Sequence, residues 1–451
     1  MADLARESAL RILTTLDKKK LTLDIVLDDF TRKETRLDKR DLSLVNALVY
    51  GVLRWRAHID FIIGHFSKSP LQKIHPEVLN VLRLGIFQIK FMDKIPESAA
   101  VNTSVNLAKK KAPQWVVKFV NGLLRNVIRN IDNIPFPDAE TNLTLSIATE
   151  KSFPTWLIQK WLNRFGEEET IKLCDTINSI PEITFRTNTL KTDRNSLLEA
   201  IKSDVKDTVF TDVSPFGISI NNPVKPIHEL QAFEDGFFQV QDEAAQIVSM
   251  LLNPKPGERV LDACAGLGGK TGHIAQLMEN KGEVIAIDNN KKKLNSLLQE
   301  MDRLGISIVT TSTIDLNEPV INDELGLFDK ILVDAPCSGI GVLRRNPDSK
   351  WVLTKKNLNR YKKRQGRFLN NIKALLKPGG VIVYAVCSTE PEEGKGVIDS
   401  FISSSPDFSI CKEPFQFESL NRLTDGHGCI STLPHSHNMD GFFTARLVKK
   451  A

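Results

Sequence analysis

The stretch RVLDACAGLGGKTG, residues 259–272, decides the fold of the second half of the chain. It begins as an apolar run of strand length and passes through a glycine-rich turn into a helical pattern. A glycine-rich turn between a strand and a helix lets a ligand approach the backbone and places that ligand at the N-terminus of the helix. Residues 259–272 therefore predict both an α/β fold and a ligand site.

Apolar strands alternate with helical stretches from Gly257 onward. The predicted strands are RVLDACA, EVIAIDN, SIVTTST, FDKILVDA and VIVYAVCS. Alternation of this kind produces a parallel sheet with helices on both faces. We therefore expect residues 254–451 to form a doubly wound, Rossmann-like α/β domain.

The chain before this domain has a different pattern. Residues 2 to about 130 are predicted as helix throughout, because apolar side chains recur there at helical spacing. Two prolines and the absence of any period predict a linker at 130–140, and helices mix with short strands such as ITFRTNTLK after it. The predicted architecture is multidomain: an all-α domain, a small α+β linker domain and an α/β domain, over residues 1–138, 139–253 and 254–451.

Composition is that of a globular protein of the cytoplasm. Hydrophobic residues make up 41% and charged residues 25% of the chain, and no apolar run is long enough to cross a membrane. The six cysteines form no CxxC pair, so we expect free thiols and neither disulfides nor a metal site. A net charge of +5 is compatible with a nucleic-acid partner without requiring one. Nothing in the sequence requires more than a monomer.

Three kinds of ligand compete for the turn AGLGGKTG (265–272). A phosphate-binding P-loop requires glycine at position 264, and the residue there is cysteine. The dinucleotide fingerprint requires glycine or alanine at position 271, and the residue there is threonine. A nucleoside cofactor without a diphosphate remains. Asp288, at the end of the next strand, is placed to accept hydrogen bonds from two ribose hydroxyls, and Asp315, after the third strand, to reach an adenine edge.

Two cysteines and one aspartate follow the ends of later strands. Asp334 and Cys337 lie in FDKILVDAPCSG, and Cys387 lies in VIVYAVCST. Ligands of open α/β sheets bind beyond the carboxyl ends of the strands, so all three side chains should face the crevice of the glycine-rich turn. A lone buried cysteine is usually inert, whereas two thiols that converge on one crevice indicate chemistry.

The chemistry that suits such thiols is addition to a pyrimidine ring. Carbon 5 of cytosine becomes nucleophilic once a thiolate has added to carbon 6, and cysteine is the side chain best able to do this near neutral pH. Residues 388–393 resemble a helix start, with Thr389 and Glu392 spaced as a capping box, and the N-terminus of a helix would favour a thiolate at Cys387. Asp334 is placed to stabilise protonation at ring nitrogen 3.

Taken together, DAPCSG (334–339), GGKT (268–271) and the second strand-end cysteine resemble the RNA cytosine-5 methyltransferase family. RDLSLVNALVYGVLRW (40–55) and GLLRNVIRN resemble the NusB-like domain fused to one bacterial branch of that family, which modifies small-subunit ribosomal RNA. Further matches are FRTNTLK, FFQVQDEAA, GVLRRNPDSKW and DGFFTARL. The resemblance covers the whole chain. It implies a NusB-like N-terminal domain and a methyltransferase domain that uses S-adenosylmethionine.

The resemblance also implies roles for single residues. It makes Cys387 the nucleophile and Cys337 the thiol that assists product release, with Asp334 and Lys270 completing the catalytic set. The cofactor-binding residues would be Cys264, Ala265, Gly266, Leu267, Gly268, Gly269, Lys270, Asp288, Asp315 and Asp334. The chain departs from the family pattern at Gly266-Leu267, where the family has Ala-Pro, and at Val386, where it has Thr. Neither departure removes a reacting group.

RNA must present the target cytosine single-stranded or flipped out before its ring can be attacked. Arg344 and Arg345, which closely follow DAPCSG, and Arg186 in FRTNTLK are expected to contact the RNA. Two alternatives remain open: a cytosine-5 methyltransferase of transfer RNA, and a non-catalytic RNA-binding protein. A redox or metal protein is disfavoured by the unpaired cysteines. DNA is disfavoured because DNA cytosine-5 enzymes use the Pro-Cys thiol as their nucleophile.

Overall fold

The computed structural model describes residues 2–19, 21–34, 37–320 and 325–451. These residues divide into two compact units. Unit 1 comprises residues 1–179 together with the segment Leu343–Leu353, and unit 2 comprises residues 180–342 and 354–451. The predicted boundaries at 138/139 and 253/254 do not coincide with this division, and the three-domain scheme stays a prediction.

The first part of unit 1 is helical, as predicted. Its helices are α1 Ala2–Lys19, α2 Leu23–Lys33, α3 Lys39–Arg54, α4 Arg56–Phe66, α5 Pro76–Phe91, α6 Glu97–Lys111, α7 Gln114–Asn130, α8 Ala139–Glu150 and α9 Thr155–Asn178. The apolar positions that recur at helical spacing in α3, α5 and α7 form one core, in which Leu48, Leu82 and Leu124 are fully buried. This packing provides most of the stability of helices of this length, because isolated helices are marginal in water.

The segment Leu343–Leu353 lies against these helices and includes a one-turn helix, Ser349–Val352. The Trp351 indole donates a hydrogen bond to the Leu53 carbonyl at 2.7 Å, and the Asp348 carboxylate accepts one from the Leu23 amide at 3.0 Å. Lys350 is 1% exposed. No sequence pattern indicates that a segment so close to the catalytic motif belongs to the helical unit.

A four-stranded antiparallel sheet opens unit 2. Its strands are β1 Ile183–Thr187, β2 Val205–Phe210, β3 Gly217–Pro223 and β4 Phe238–Val240, in the order β2-β3-β1-β4. The accompanying helices are α10 Arg194–Ile201 and α11 Gln231–Glu234. Phe185 of β1 and Phe238 of β4 are fully buried and stack with ring centroids 3.9 Å apart. The predicted mixture of short strands and helices is confirmed here.

The large sheet of unit 2 has the order β10-β12-β9-β8-β5-β6-β7, with β11 paired to β12. Its strands are β5 Arg259–Asp262, β6 Glu283–Asp288, β7 Val309–Thr313, β8 Phe328–Asp334, β9 Leu376–Val386, β10 Phe408–Ile410, β11 Cys429–Ser431 and β12 Phe443–Lys449. The helices of this part are α12 Glu243–Leu252, α13 Gly269–Leu277, α14 Lys291–Leu304, α15 Lys355–Ile372, α16 Lys395–Ser404, α17 Glu418–Asn421 and α18 Pro434–His437.

Strands β5 to β9 are parallel, and each coincides with an apolar run predicted as a strand. Two apolar cores contain alternate residues of these strands, such as Val260 and Leu261, as expected when helices cover both faces of a sheet. The doubly wound α/β fold is therefore confirmed. Strands β10, β11 and β12 pair antiparallel at one edge, which strand–helix alternation did not predict.

The predicted helix start beside Cys387 is wrong. Residues 388–390 have no regular structure, and α16 begins only at Lys395, with Gly394 as its N-cap and no side-chain capping bond. Glycine and proline near this point delay the helix, so the capping-box spacing of Thr389 and Glu392 does not form the motif. No described helix is long and apolar enough to cross a membrane.

Lys350 is expected to stabilise unit 1 strongly. Its ammonium donates to the carbonyls of Arg54 and Ser152, each at 3.3 Å, and to the Asn178 amide oxygen at 2.7 Å, while burial lowers its pKa well below the usual value. Replacing Lys350 with alanine leaves these buried acceptors without a donor, so we expect a loss of about 2–4 kcal/mol in the free energy of unfolding.

Urea unfolding followed by tryptophan fluorescence measures this loss, because all five tryptophans of the chain lie in unit 1. Lys172→Ala is the control, since that lysine is exposed and forms only surface ion pairs with Glu168 and Glu169. We expect the control to change stability by less than about 0.5 kcal/mol. Equal effects of the two substitutions would contradict the structural role of Lys350.

Candidate active site

Two neighbouring parallel strands bring the two strand-end cysteines together. Strands β8 and β9 run in register, with Asp334 opposite Ala385, and so end at the same edge of the sheet. The loop after β8 carries Cys337 and the loop after β9 carries Cys387, and their Sγ atoms lie 3.2 Å apart. Both side chains are half-buried. The structure therefore confirms the prediction that the two thiols lie close together.

A hydrogen bond joins the two sulfurs, and it acts on the protonation of Cys337. Its hydrogen bond to Cys387 and its burial together raise the pKa of the Cys337 thiol well above its ordinary value. Cys337 is therefore a neutral thiol near pH 7 and can donate its S–H to Cys387. The structure thus keeps a neutral thiol within hydrogen-bond distance of the Cys387 sulfur.

Lys270 and Asp334 form an ion pair next to the sulfurs. Lys270 lies in the first turn of α13, and its Nζ is 2.6 Å from Oδ2 of Asp334 and 5.3 Å from the centre of the Phe442 ring. Burial works against the charged lysine, but the adjacent Asp334 outweighs it and raises the Lys270 pKa. Asp334 is thus a carboxylate held in place by an ammonium, a contact that sequence reasoning did not foresee.

An open cleft lies beyond the carboxyl ends of β5, β6, β7 and β8. Its lining residues include Cys264, Asp288, Asp315, Pro336, Arg364 and Phe368. The cleft therefore brings together the predicted cofactor residues of three separate strand ends. Asp315 is exposed there and accepts hydrogen bonds from both the amide and the side chain of Asn317.

Asp288 fixes the glycine-rich turn at the mouth of this cleft. Its Oδ2 accepts a hydrogen bond from the Gly266 amide at 3.1 Å, and its Oδ1 accepts one from the Asn290 amide at 2.8 Å. A carboxylate has about four lone-pair sites, so two remain for hydroxyl groups of a ligand. A Cβ on Gly266 would have nothing within 4 Å, and Leu267 is 61% exposed, so the turn is open on that side.

Gly268 is required by the packing of the turn. Its φ is +87°, in the left-handed region, and a Cβ at this position would lie 2.6 Å from Cγ of Leu297. The neighbouring Thr271 hydroxyl donates to buried Asp262 at 2.7 Å, and burial raises the pKa of that carboxyl to about 6. The turn is thus tied to β5 on one side and to α14 on the other.

Glu393 joins the two cysteine loops and was missed at the sequence level. One carboxylate oxygen accepts hydrogen bonds from the Ser338 hydroxyl at 2.5 Å and the Ser388 hydroxyl at 2.6 Å. The other accepts from the Ser338 amide at 2.8 Å and the Gln365 amide at 3.2 Å. Glu393 is fully buried, and burial raises its pKa although these donors oppose the rise. Ser338 and Ser388 are the residues that directly follow the two cysteines.

The expectation that Arg186 contacts RNA is corrected by its burial. Arg186 is 1% exposed, and its guanidinium donates to the side chains of Gln239 and Gln241 and to the Gly269 carbonyl. Buried in this way, it supports the glycine-rich turn from β1. Arg344 is 5% exposed, so its side chain is also not on the surface, whereas Arg345 is half-buried.

No cluster of three or more metal-ligating side chains occurs in the part of the chain that the structure describes. The polar groups of the site are instead two thiols, one ion pair and a set of carboxylates at a sheet edge. Such a site can add a nucleophile to an electrophilic carbon and move protons, next to an open cleft lined by carboxylates.

Each of the three regions of the chain matches a known protein family or domain. The profile described as 16S rRNA methyltransferase RsmB/F matches residues 249–448, and the NusB family profile matches residues 3–129. A ferredoxin-like domain of RsmF/B-like methyltransferases matches residues 153–227. The helical, mixed and α/β regions thus each have a counterpart.

Relatives match over nearly the full length. The probable ribosomal RNA small subunit methyltransferase B of Bacillus subtilis is 34% identical over 447 residues, covering 99% of this chain and 98% of its own. The Escherichia coli ribosomal RNA small subunit methyltransferase B is 31% identical, covering 92% of both chains. The crystal structure of PH0851 matches with a TM-score of 0.81 and 26% identity over 98% of both chains. These matches show that the chain belongs to the 16S rRNA methyltransferase RsmB/F family.

Proposed function

We propose that this chain transfers a methyl group from S-adenosylmethionine to carbon 5 of one cytosine in 16S ribosomal RNA, with Cys387 as the nucleophile. The observation that carries the proposal is the pair of sulfurs 3.2 Å apart at the edge that also holds the cofactor cleft. The small-subunit ribosomal RNA follows from the names of the relatives of Bacillus subtilis and Escherichia coli.

The polar groups that line the cleft suit a nucleoside with a positive centre. Asp288 offers the free lone pairs that a ribose diol requires, and Asp315 supplies a second carboxylate on the cleft wall. Carboxylates near the cleft favour a sulfonium charge. When bound there, S-adenosylmethionine supplies the methyl group.

The first chemical step belongs to Cys387. Its thiolate adds to carbon 6 of cytosine, the electron pair of the ring double bond is delocalised over carbon 5 and nitrogen 3, and nitrogen 3 takes up a proton from solvent. Asp334, paired with Lys270 at 2.6 Å, accepts a hydrogen bond from the protonated nitrogen. Carbon 5 is then nucleophilic enough to take the methyl group.

The second step belongs to Cys337. While Cys387 is a thiolate, its charge and hydrogen bond hold the proton on Cys337. Once that sulfur is bonded to carbon 6 its charge is gone, so Cys337 ionises more easily and releases its proton to solvent. The new thiolate removes the hydrogen of carbon 5 as a proton, the electron pair of that bond restores the double bond between carbons 5 and 6, and the bond between Cys387 and carbon 6 breaks with its electron pair on sulfur. Nitrogen 3 returns its proton to solvent, so the base is neutral and both sulfurs are back in their starting state.

Substitution of the two cysteines is expected to give opposite signatures. Cys387→Ala should abolish methyl transfer from labelled S-adenosylmethionine to unmethylated 16S ribosomal RNA, because the adduct cannot form. Cys337→Ala should instead accumulate a protein–RNA complex that survives denaturing electrophoresis, because release is blocked. The measurement is label in the RNA together with the mobility of the protein.

Cys411→Ala is the matched control, since Cys411 is a buried free thiol that the cofactor cleft and the sulfur pair do not include. It should keep wild-type activity. Transfer RNA is included as a second substrate. Label in transfer RNA alone would show that the proposed substrate is wrong, while the proposed chemistry would stand. Full activity of Cys387→Ala would show that the mechanism is wrong.

Loss of the Glu393 carboxylate is expected to slow catalysis without abolishing cofactor binding. Glu393→Ala removes the shared acceptor of three donors in the two cysteine loops and of Gln365 in α15, so the sulfurs lose their fixed spacing, and we expect kcat to fall by about 10²-fold. Glu393→Gln keeps the shape and one acceptor oxygen, so its loss should be smaller. The test compares kcat with the affinity for S-adenosylmethionine, and equal activity of the alanine variant and wild type would refute the role.

A further inference from the structure

Helix α15 (Lys355–Ile372) is unusually basic. Among its 18 residues are seven cations and no acidic side chain: Lys355, Lys356, Arg360, Lys362, Lys363, Arg364 and Arg367. The net charge of the whole chain is only +5, so the rest of the chain without this helix is slightly negative. Repulsion between cations one turn apart disfavours such a helix unless an anion neutralises them.

Four of these cations form a stripe along one face of the helix. Lys356, Arg360, Lys363 and Arg367 are separated by four, three and four residues, and all four are exposed. We call this set the α15 stripe. At 1.5 Å per residue it extends over about 16 Å.

No acidic side chain in the part of the chain that the structure describes neutralises the α15 stripe. In the described ranges, no carboxylate lies within ion-pair distance of any of its four side chains. Two other exposed helices differ in this respect, since Lys33 pairs with Asp29 at 2.6 Å and Lys395 pairs with Asp399 at 3.2 Å, each one turn away. Those two helices neutralise part of their own surface charge, whereas α15 has no acidic residue with which to do so.

The opposite face of α15 is part of the active site. Gln365 is fully buried and donates to the Pro336 carbonyl at 3.1 Å and to Glu393 at 3.2 Å. Phe368 and Arg364 line the cofactor cleft. One rigid helix, about 10–12 Å across with its side chains, thus carries the α15 stripe on one face and supports the cysteine loops on the other.

We propose that the α15 stripe binds the sugar–phosphate backbone of the RNA next to the target cytosine. The inference rests on the proposed function, because an RNA substrate must reach the sulfur pair that the other face of α15 supports. Linearly spaced, unpaired lysine and arginine side chains suit successive phosphates, and each contact releases condensed counter-ions. The α15 stripe then positions the substrate and takes no part in the chemistry.

The test uses the full chain and unmethylated 16S ribosomal RNA, with binding measured over a series of KCl concentrations and methyl transfer measured in parallel. Lys363→Gln combined with Arg367→Gln should raise KM for RNA by about tenfold at moderate salt and change kcat by less than about twofold. The slope of log Kd against log salt should fall by about 1.4–1.8, as expected for two lost phosphate contacts.

Two control variants sharpen the result. Lys172→Gln with Lys202→Gln removes the same charge from exposed lysines that pair with neighbouring glutamates, and it should leave KM and the salt slope unchanged. Lys363→Arg with Arg367→Lys keeps the charge of the α15 stripe and should behave as wild type. An unchanged slope in the double glutamine variant, or a fall in kcat with constant KM, would overturn the proposal. Wild type that methylates no RNA at all would instead refute the proposed function.

Discussion

The parallel pairing of β8 and β9 is the constraint on which the rest of the site depends. Because neighbouring parallel strands end at one edge, the loops that follow them must lie side by side, and the two sulfurs come within 3.2 Å. Loops alone would not hold such a spacing. Buried Glu393 ties the residue after each cysteine to a single carboxylate, and the Gly341 amide donates to the Cys387 carbonyl at 3.1 Å. The pairing of β8 and β9 therefore brings the two cysteine loops together, and a few hydrogen bonds fix the distance between the sulfurs.

Neighbouring groups favour one protonation state for Lys270 and one for Cys337. Lys270 pairs with the Asp334 carboxylate and holds it in place, and the hydrogen bond to Cys387 keeps Cys337 protonated. The two thiols are chemically identical residues, so only their surroundings can give them different roles. Their roles alternate in the proposed reaction, because bonding of one sulfur to the base removes the influence that held the proton on the other.

Much of the fold and the site could be predicted from the sequence, because the signals for them lie in short contiguous stretches of residues. Apolar runs such as those ending at Asp334 and Val386 are strands in any α/β protein, and the rule that ligands bind at carboxyl ends places Cys337 and Cys387 in one crevice. The burial of Arg186, the role of Glu393 and the docking of Trp351 in the helical unit depend on contacts between residues far apart in sequence. A single sequence has no pattern for such contacts. Helix α16 begins later than its capping signal suggested, because Gly394 interrupts it.

The identity of the cysteine that bonds to the base is the central claim, and one measurement tests it directly. RNA with 5-fluorocytosine at the target position lacks the hydrogen that must leave carbon 5, so the covalent complex with the wild-type chain cannot resolve. Digestion of that complex and mass spectrometry then locate the modified peptide. We expect the base on the peptide that contains Cys387, with Cys337 unmodified. A base attached to Cys337, or no covalent complex in the presence of S-adenosylmethionine, would contradict the proposed mechanism.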